Sequence, residues 1–231
     1  SGECNLLVTN KYVIRMVSAV KKSTSPTQRA TQAERTALAE EKMVNATIEL
    51  LNNVGLAGTT LNAIGEIAGY SRGLATHHFG SKSGLFRKVL RHITAVWTEE
   101  LENNLESKDG LEAILAALDA HRDHLLHFPH HARAMYILWS ASFDPASEFK
   151  PNIVEFHRLQ RATAAAWVLN GQKSGDIRAD VNPDSLAEQF YASLLGLNFQ
   201  WLVNPEIDLT ASFDVLKQNI IALMRSPSDL T

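Results

Sequence analysis

The sequence predicts an all-α protein of about nine helices: an N-terminal three-helix head containing a helix-turn-helix, and a C-terminal helical bundle behind it. Three observations predict this. From about residue 33 onward, apolar residues return every three or four positions, the period of a helix with one buried face. Gly, Pro, Asp and Asn interrupt that period at intervals, as helix ends require. No stretch alternates apolar and polar residues in the two-residue rhythm of a strand.

A Ser/Thr/Pro-rich stretch, 23–31, reads as a linker before the first helix. That helix begins near Ala33 or Glu34, gathers Met43, Ala46, Leu50 and Leu51 on one face, and stops at the Asn-Asn-Val-Gly of residues 52–55 with Gly55 as the stop. Two short helices follow, from Thr60 to Ala68 and from Ser71 to about His78. Ser81-Lys82-Ser83 then opens a long helix to about Glu106. Five more follow: Asp109 to His127, Pro129 to Phe143, roughly Ser147 to Lys173, Asp184 to Asn204 and Thr210 to Arg225.

Of the 231 residues, 45% are apolar and 20% charged, and no run approaches the roughly 18 uncharged apolar residues of a membrane span. The one candidate secretory segment, residues 12–20, is broken by Arg15 and lacks a small-residue cleavage site. A lone cysteine, Cys4, excludes an internal disulfide and a cysteine zinc cage, which suits a reducing cytoplasm. The net charge of −3 is unevenly spread: +4 over residues 1–33, +2 over 34–92 and −9 over 93–231. A mildly basic front before an acidic body suits a nucleic-acid reader joined to a domain that stays off DNA.

Residues 59–79 make a compact hairpin of two helices. Ala63, Gly65 and Ala68 keep the first slim, Leu61, Ile64 and Ile67 supply its buried stripe, and Gly69 adopts the positive φ that ends it. Ser71 caps the second helix, whose leading residues Arg72, Gly73 and Leu74 point at a major groove if the hairpin reads DNA. Gly73 lets backbone approach bases or phosphates, while Thr60 and Lys82 stand at helix N-termini that suit phosphate contacts. Thr76, His77 and His78 complete the candidate DNA-binding set, and Phe79 reads as core.

The stretch from Met43 to Leu90, above all Thr59-Thr60-Leu61, Ala68-Gly69-Tyr70-Ser71-Arg72-Gly73 and His78-Phe79-Gly80-Ser81-Lys82, resembles the tetracycline-repressor (TetR) family of transcriptional regulators. The rear half is similar more loosely, through the Gly-Asp-Ile-Arg-Ala-Asp-Val-Asn-Pro loop, 175–183, and the Gly196-Leu197 and Trp201-Leu202 region. The resemblance implies a homodimer with a DNA-binding head, a ligand cavity in the rear domain, and a four-helix dimer interface built from the last two helices of each subunit. It divides the chain into a flexible basic tail (1–32), a helix-turn-helix domain (33–81) and a ligand-binding and dimerisation domain (82–231), of which 82–106 is the connecting helix. Two positions depart from the family pattern: Ala75 replaces a larger aliphatic residue, and Thr76 stands where the family commonly has a phosphate-contacting tyrosine.

The expected activity is repression of a palindromic operator, relieved when a small, largely apolar ligand changes the spacing of the two heads. Candidate pocket residues are Trp97, Phe128, Met135, Trp139, Phe143, Phe156, Trp167 and Phe199, each equally open to a core reading. Candidate dimer contacts are Leu194, Leu195, Leu197 and Trp201 with Leu216, Ile220 and Leu223. No catalytic residue, cofactor, metal or membrane partner is expected.

Two other classes remain on the sequence. The run His121, His124, His127, His130 and His131, with Asp119 or Asp123, offers ligands for a metal-dependent helical-bundle enzyme, although no HExxH, paired Glu-x-x-His or nucleophile motif accompanies it. The departure at Thr76 allows a dimeric ligand-binding protein without DNA binding. For the basic segment 11–22, a minor-groove arm, a helix lying on another helix and an unstructured tail all stay open.

Overall fold

The computed structural model describes residues 31–225, and every regular element among them is helical. The basic segment 11–22 lies outside the described residues. The chain divides into a unit ending at Ala39 and a second from Glu40 onward. Helix α1 (Gln32–Gly58) runs through both. It begins with a reciprocal cap: Glu34 N–H donates to Thr31 Oγ1 at 3.2 Å, and Thr31 N–H to the Glu34 carboxylate at 2.6 Å. In the second unit Met43, Ala46, Leu50 and Leu51 are buried, as their spacing predicts. Gly55, at φ 68 and ψ −173, breaks the helix, which then resumes for one turn to Gly58 instead of stopping.

Helices α2 (Leu61–Ala68) and α3 (Arg72–Phe79) cross so closely that a Cβ on Gly65 would lie 2.7 Å from the carbonyl oxygen of Tyr70. Gly69 takes the left-handed conformation at φ 77, and Tyr70 N–H returns to Gly65 O at 2.7 Å. Thr60 and Ser71 cap the two helices by accepting from Ala63 N–H (3.1 Å) and Leu74 N–H (3.2 Å).

Helix α4 (Lys82–Leu105) is capped by Ser81, which accepts from Gly84 N–H at 3.0 Å. The remaining helices are α5 (Gly110–His127), α6 (Pro129–Ser140), α7 (Lys150–Ser174), α8 (Pro183–Val203) and α9 (Leu209–Met224). The α6 helix ends before Phe143, its last residues tightening into a 3-10 turn, Ala141–Phe143. Helix α7 starts after the expected Ser147 because Pro145 interrupts the run and the Asp144 carboxylate accepts from Ala146 N–H at 2.9 Å in a turn. Asn182 and Asp208 cap α8 and α9.

Helix α5 lies at the centre of the rear bundle, against α4, α7 and α9, with Leu111, Ile114, Leu118 and Leu125 buried. Its exposed side is tied to α9 by an ion pair of Asp119 with Lys217.

Gly65→Ala must push backbone against backbone, so it should lose about 1–3 kcal/mol in urea unfolding. At Gly73 a Cβ meets only Ser71 Oγ, at 3.7 Å. Gly73→Ala should therefore leave stability unchanged or raise it by up to about 1 kcal/mol, through better helix propensity.

Candidate nucleic-acid interface and ligand cavity

The α2–α3 crossing leaves one edge of α3 open. Arg72, Gly73, Thr76 and His77 are exposed, with the cap Ser71 before them and Thr60 at the neighbouring N-terminus, while Ala75 and Phe79 are buried on the opposite face. Leu74 is half-buried. His78 turns inward: its side chain is only 10% exposed, and Nδ1 lies 3.7 Å from Glu40, which Lys88 also pairs at 2.8 Å. The His78 side chain thus belongs to the packing of α3 on α1. Thr76 Oγ1 donates to Arg72 O at 3.1 Å, so its proton is used inside the helix. Lys82 donates to Leu56 O at 2.8 Å and lies 5.4 Å from the Phe86 ring, where partial burial lowers its pKa. It fastens the end of α1 to the start of α4.

The rear bundle holds a cavity of about 60 Å³. Four predicted residues line it: Trp97 from α4, Met135 and Trp139 from α6, and Phe156 from α7. Four others do not. Phe143 is 85% exposed because the 3-10 turn carries it outward, and Phe199, 55% exposed, stands on the outer side of α8, 6.1 Å from the Tyr136 ring. Trp167 is buried in the core further along α7, and Phe128 stacks on His131 at 5.4 Å at the α5–α6 corner.

The remaining lining is more polar than expected. His121 and His124 from α5 flank Trp97, at ring separations of 4.0 and 5.4 Å. Tyr136 donates to Leu195 O at 2.7 Å, and Tyr191 donates to Gln160 Oε1 at 2.6 Å. Burial raises the pKa of both phenols. His124 Nδ1 meets the Glu100 carboxylate. A carboxylate only accepts, so Nδ1 donates to it, and Nε2 is the ring's other polar atom. That Nε2 is buried without a partner, as are His157 Nε2 and Asn198 Oδ1. Burial, reinforced by His124, drives the His121 pKa down to about 3, and burial followed by the charge of Arg161 lowers that of His157. Among the described residues no three His, Cys, Asp or Glu side chains converge to hold an ion. The histidine run is spent on Trp97, on Glu100 and on the His92–Phe128–His131 corner.

Residues 44–89 match the model described as "Bacterial regulatory proteins, tetR family". Over that region the chain is similar to the DNA-binding segment of tetR-family regulators. A curated relative, the HTH-type transcriptional regulator BetI of Burkholderia thailandensis, is 31% identical over 80 residues, which cover 34% of this chain and 41% of BetI. The chain thus spans about two fifths of the curated relatives' length. Two crystal structures share the fold at greater coverage. NalD, the secondary repressor of the MexAB-OprM multidrug efflux pump in Pseudomonas aeruginosa, has 20% identity, a TM-score of 0.67 and coverage of 84% of this chain and 99% of its own. A transcriptional regulator from Saccharomonospora viridis, solved in complex with choline, has 18% identity and a TM-score of 0.69, covering 80% and 96%. All three are described as regulators or repressors, none as an enzyme. No described helix is long and apolar enough to cross a membrane.

The last two helices leave apolar side chains on their outer faces. Phe199 and Val203 on α8, and Val215 and Leu223 on α9, are more than half exposed. Between them runs a groove floored by Gly196 and walled by Gln200, Ser212 and Asn219. Two predicted contacts are instead internal: Leu194 is fully buried and Ile220 nearly so in the chain's own core. Leu197, Trp201 and Leu216 pack partly on that core, and Leu195 turns to the cavity. Leu223, 52% exposed, stands on the open face, and Leu197 and Leu216 also line the groove.

A histidine held neutral in the folded state takes up a proton on unfolding below its ordinary pKa of about 6.5, so its stabilising effect is intact above that pH and falls away as acid is added toward pH 3. His121→Phe keeps the stack on Trp97 and removes the titration. Between pH 6.5 and 4 the parent should lose stability more steeply than the variant, by up to about 1.4 kcal/mol per pH unit, read by urea unfolding across that range.

Proposed function

We propose that the protein is a homodimeric transcriptional repressor that reads operator DNA with α3 and leaves it when a small molecule occupies the rear cavity. The observation that carries this reading is the open edge of α3 within the family-matched segment. Gly73 sits on that edge with no internal contact that requires a glycine, so its missing side chain serves something outside the chain. Arg72 and His77 stand beside it, exposed, and the Thr60 and Ser71 N-termini supply backbone N–H groups for phosphates. Thr76, its proton committed to Arg72 O, is the weakest member of the contact set. On this reading 33–81 is the DNA-binding head, 82–106 the connecting helix and 82–231 the ligand-binding and dimerisation body, working in the cytoplasm on nucleoid DNA.

A two-fold dimer sets its two α3 helices into major grooves one turn apart, about 34–36 Å or a multiple of it, and so calls for a near-palindromic operator. The open apolar faces of α8 and α9 are the surface a partner copy would cover.

In band shifts with DNA upstream of its own gene, Arg72→Ala should cost about 1–3 kcal/mol of specific binding and spare non-specific binding. Lys82→Ala, which breaks the tie to Leu56 O, should weaken both while leaving the slope of log affinity against log salt near the parent's. Gly73→Ala should bind poorly although it folds well. If all three shift DNA like the parent, α3 is not the reader.

Leu223→Glu places a charge in the proposed dimer face. Sedimentation should show dimer for the parent and monomer for the variant, with operator affinity lost in parallel. A variant that stays dimeric puts the interface elsewhere.

A further inference from the structure

Helix α7 sends Phe156, His157, Gln160 and Arg161 to the cavity, positions on one side of the helix. Arg161 has no ion pair among the described residues, and no carboxylate lines the cavity. The nearest acidic group with a role there, Glu100, is engaged by His124. Gln160 Oε1 is taken by Tyr191, which leaves the amide N–H₂ as a donor on the same wall. A guanidinium and an amide donor on one wall of a largely apolar cavity suit the planar oxygens of a carboxylate.

The other walls set the rest of the ligand. Trp97, Tyr136, Trp139 and Tyr191 offer ring faces and edges. The 60 Å³ of the cavity holds about four to six waters, roughly the room of one substituted benzene ring. Asn198 Oδ1 is an acceptor with no donor and His124 Nε2 a ring nitrogen with no partner, both on residues more than nine-tenths buried. Aromatic walls also attract quaternary ammonium ions, but here such a cation would meet Arg161 with no carboxylate to offset it.

Resting on the reading of the cavity as the effector site, we propose that its ligand is a monocyclic aromatic carboxylate with a hydroxyl or amino group on the ring. The carboxylate pairs with Arg161 and Gln160, the ring lies among the aromatic side chains, and the ring substituent hydrogen-bonds to His124 or Asn198.

The test uses the full chain without DNA, titrated with 3- and 4-hydroxybenzoate, phenol and choline, with tryptophan fluorescence and thermal shift as readouts, since Trp97 and Trp139 line the cavity. At least one hydroxybenzoate should quench saturably and raise Tm, phenol should bind about tenfold or more weakly, and choline should do neither. Arg161→Gln should weaken the acid about ten- to hundredfold and leave phenol unchanged, with Arg161→Lys between them. The proposal is overturned if neither acid saturates, if choline binds more tightly than both, or if Arg161→Gln binds the acid like the parent. Failure here beside intact operator binding leaves the repressor reading standing. Binding of the acid by a chain that shifts no DNA does the reverse.

Discussion

Everything the head can do depends on how closely α2 and α3 cross. With a side chain at residue 65 the Tyr70 carbonyl would be displaced, the turn at Gly69 could not return its hydrogen bond to Gly65 O, and Ser71 would lose its place as the cap of α3. The direction in which Arg72 and His77 leave the surface is set by that cap and by Ala75 and Phe79 packing beneath them. A small residue in one helix thus fixes the presentation of large ones in the next. The positions with no packing duty on α3, Gly73 above all, are the ones left free for a partner.

The same economy links the head to the cavity. Helix α6 contributes Ala132, Met135, Tyr136 and Trp139 to the lining, and at its first turn His130 O accepts from Asn52 Nδ2 of α1 at 3.0 Å. Helix α4 contributes Trp97 at one level and, at its start, the Lys82 bond to Leu56 O of α1. Two of the five helices that line the cavity, α4 and α6, are therefore bonded to the helix that supports α3. A ligand that separates α4 from α6 strains two polar contacts at once, and a difference of a few kcal/mol between the two arrangements is enough to change occupancy of DNA.

Much of the architecture was legible because helix periodicity and capping are local. Thr60, Ser71, Ser81, Asn182 and Asp208 cap the helices they precede, and the Met43, Ala46, Leu50, Leu51 face is buried as spaced. The cavity was legible only in part, because apolar spacing marks an inner face without saying whether that face meets core or space. Trp139 and Trp167 carry the same signal, yet one lines the cavity and the other is buried in the core. Leu194 and Leu195 differ by one step of about 100° around α8, which separates the core from the cavity. The polar lining was missed for a different reason. His157 and Asn198 are single polar residues on otherwise apolar faces, and the histidine run reads equally as metal ligands, a solvated set or a cavity-facing set until its neighbours are known.

Those polar groups are also what separates this cavity from a packing defect. A buried polar atom without a partner costs about 1–3 kcal/mol, and an aliphatic side chain at 124 or 198 would avoid that cost. His124 is moreover oriented, since Glu100 holds Nδ1 and thereby fixes which nitrogen remains unpaired. Orientation of an unpaired atom contributes nothing to folding. It contributes to selectivity, because a ligand that supplies the missing partner recovers the desolvation cost already borne by the protein, whereas one that lacks it leaves that cost standing.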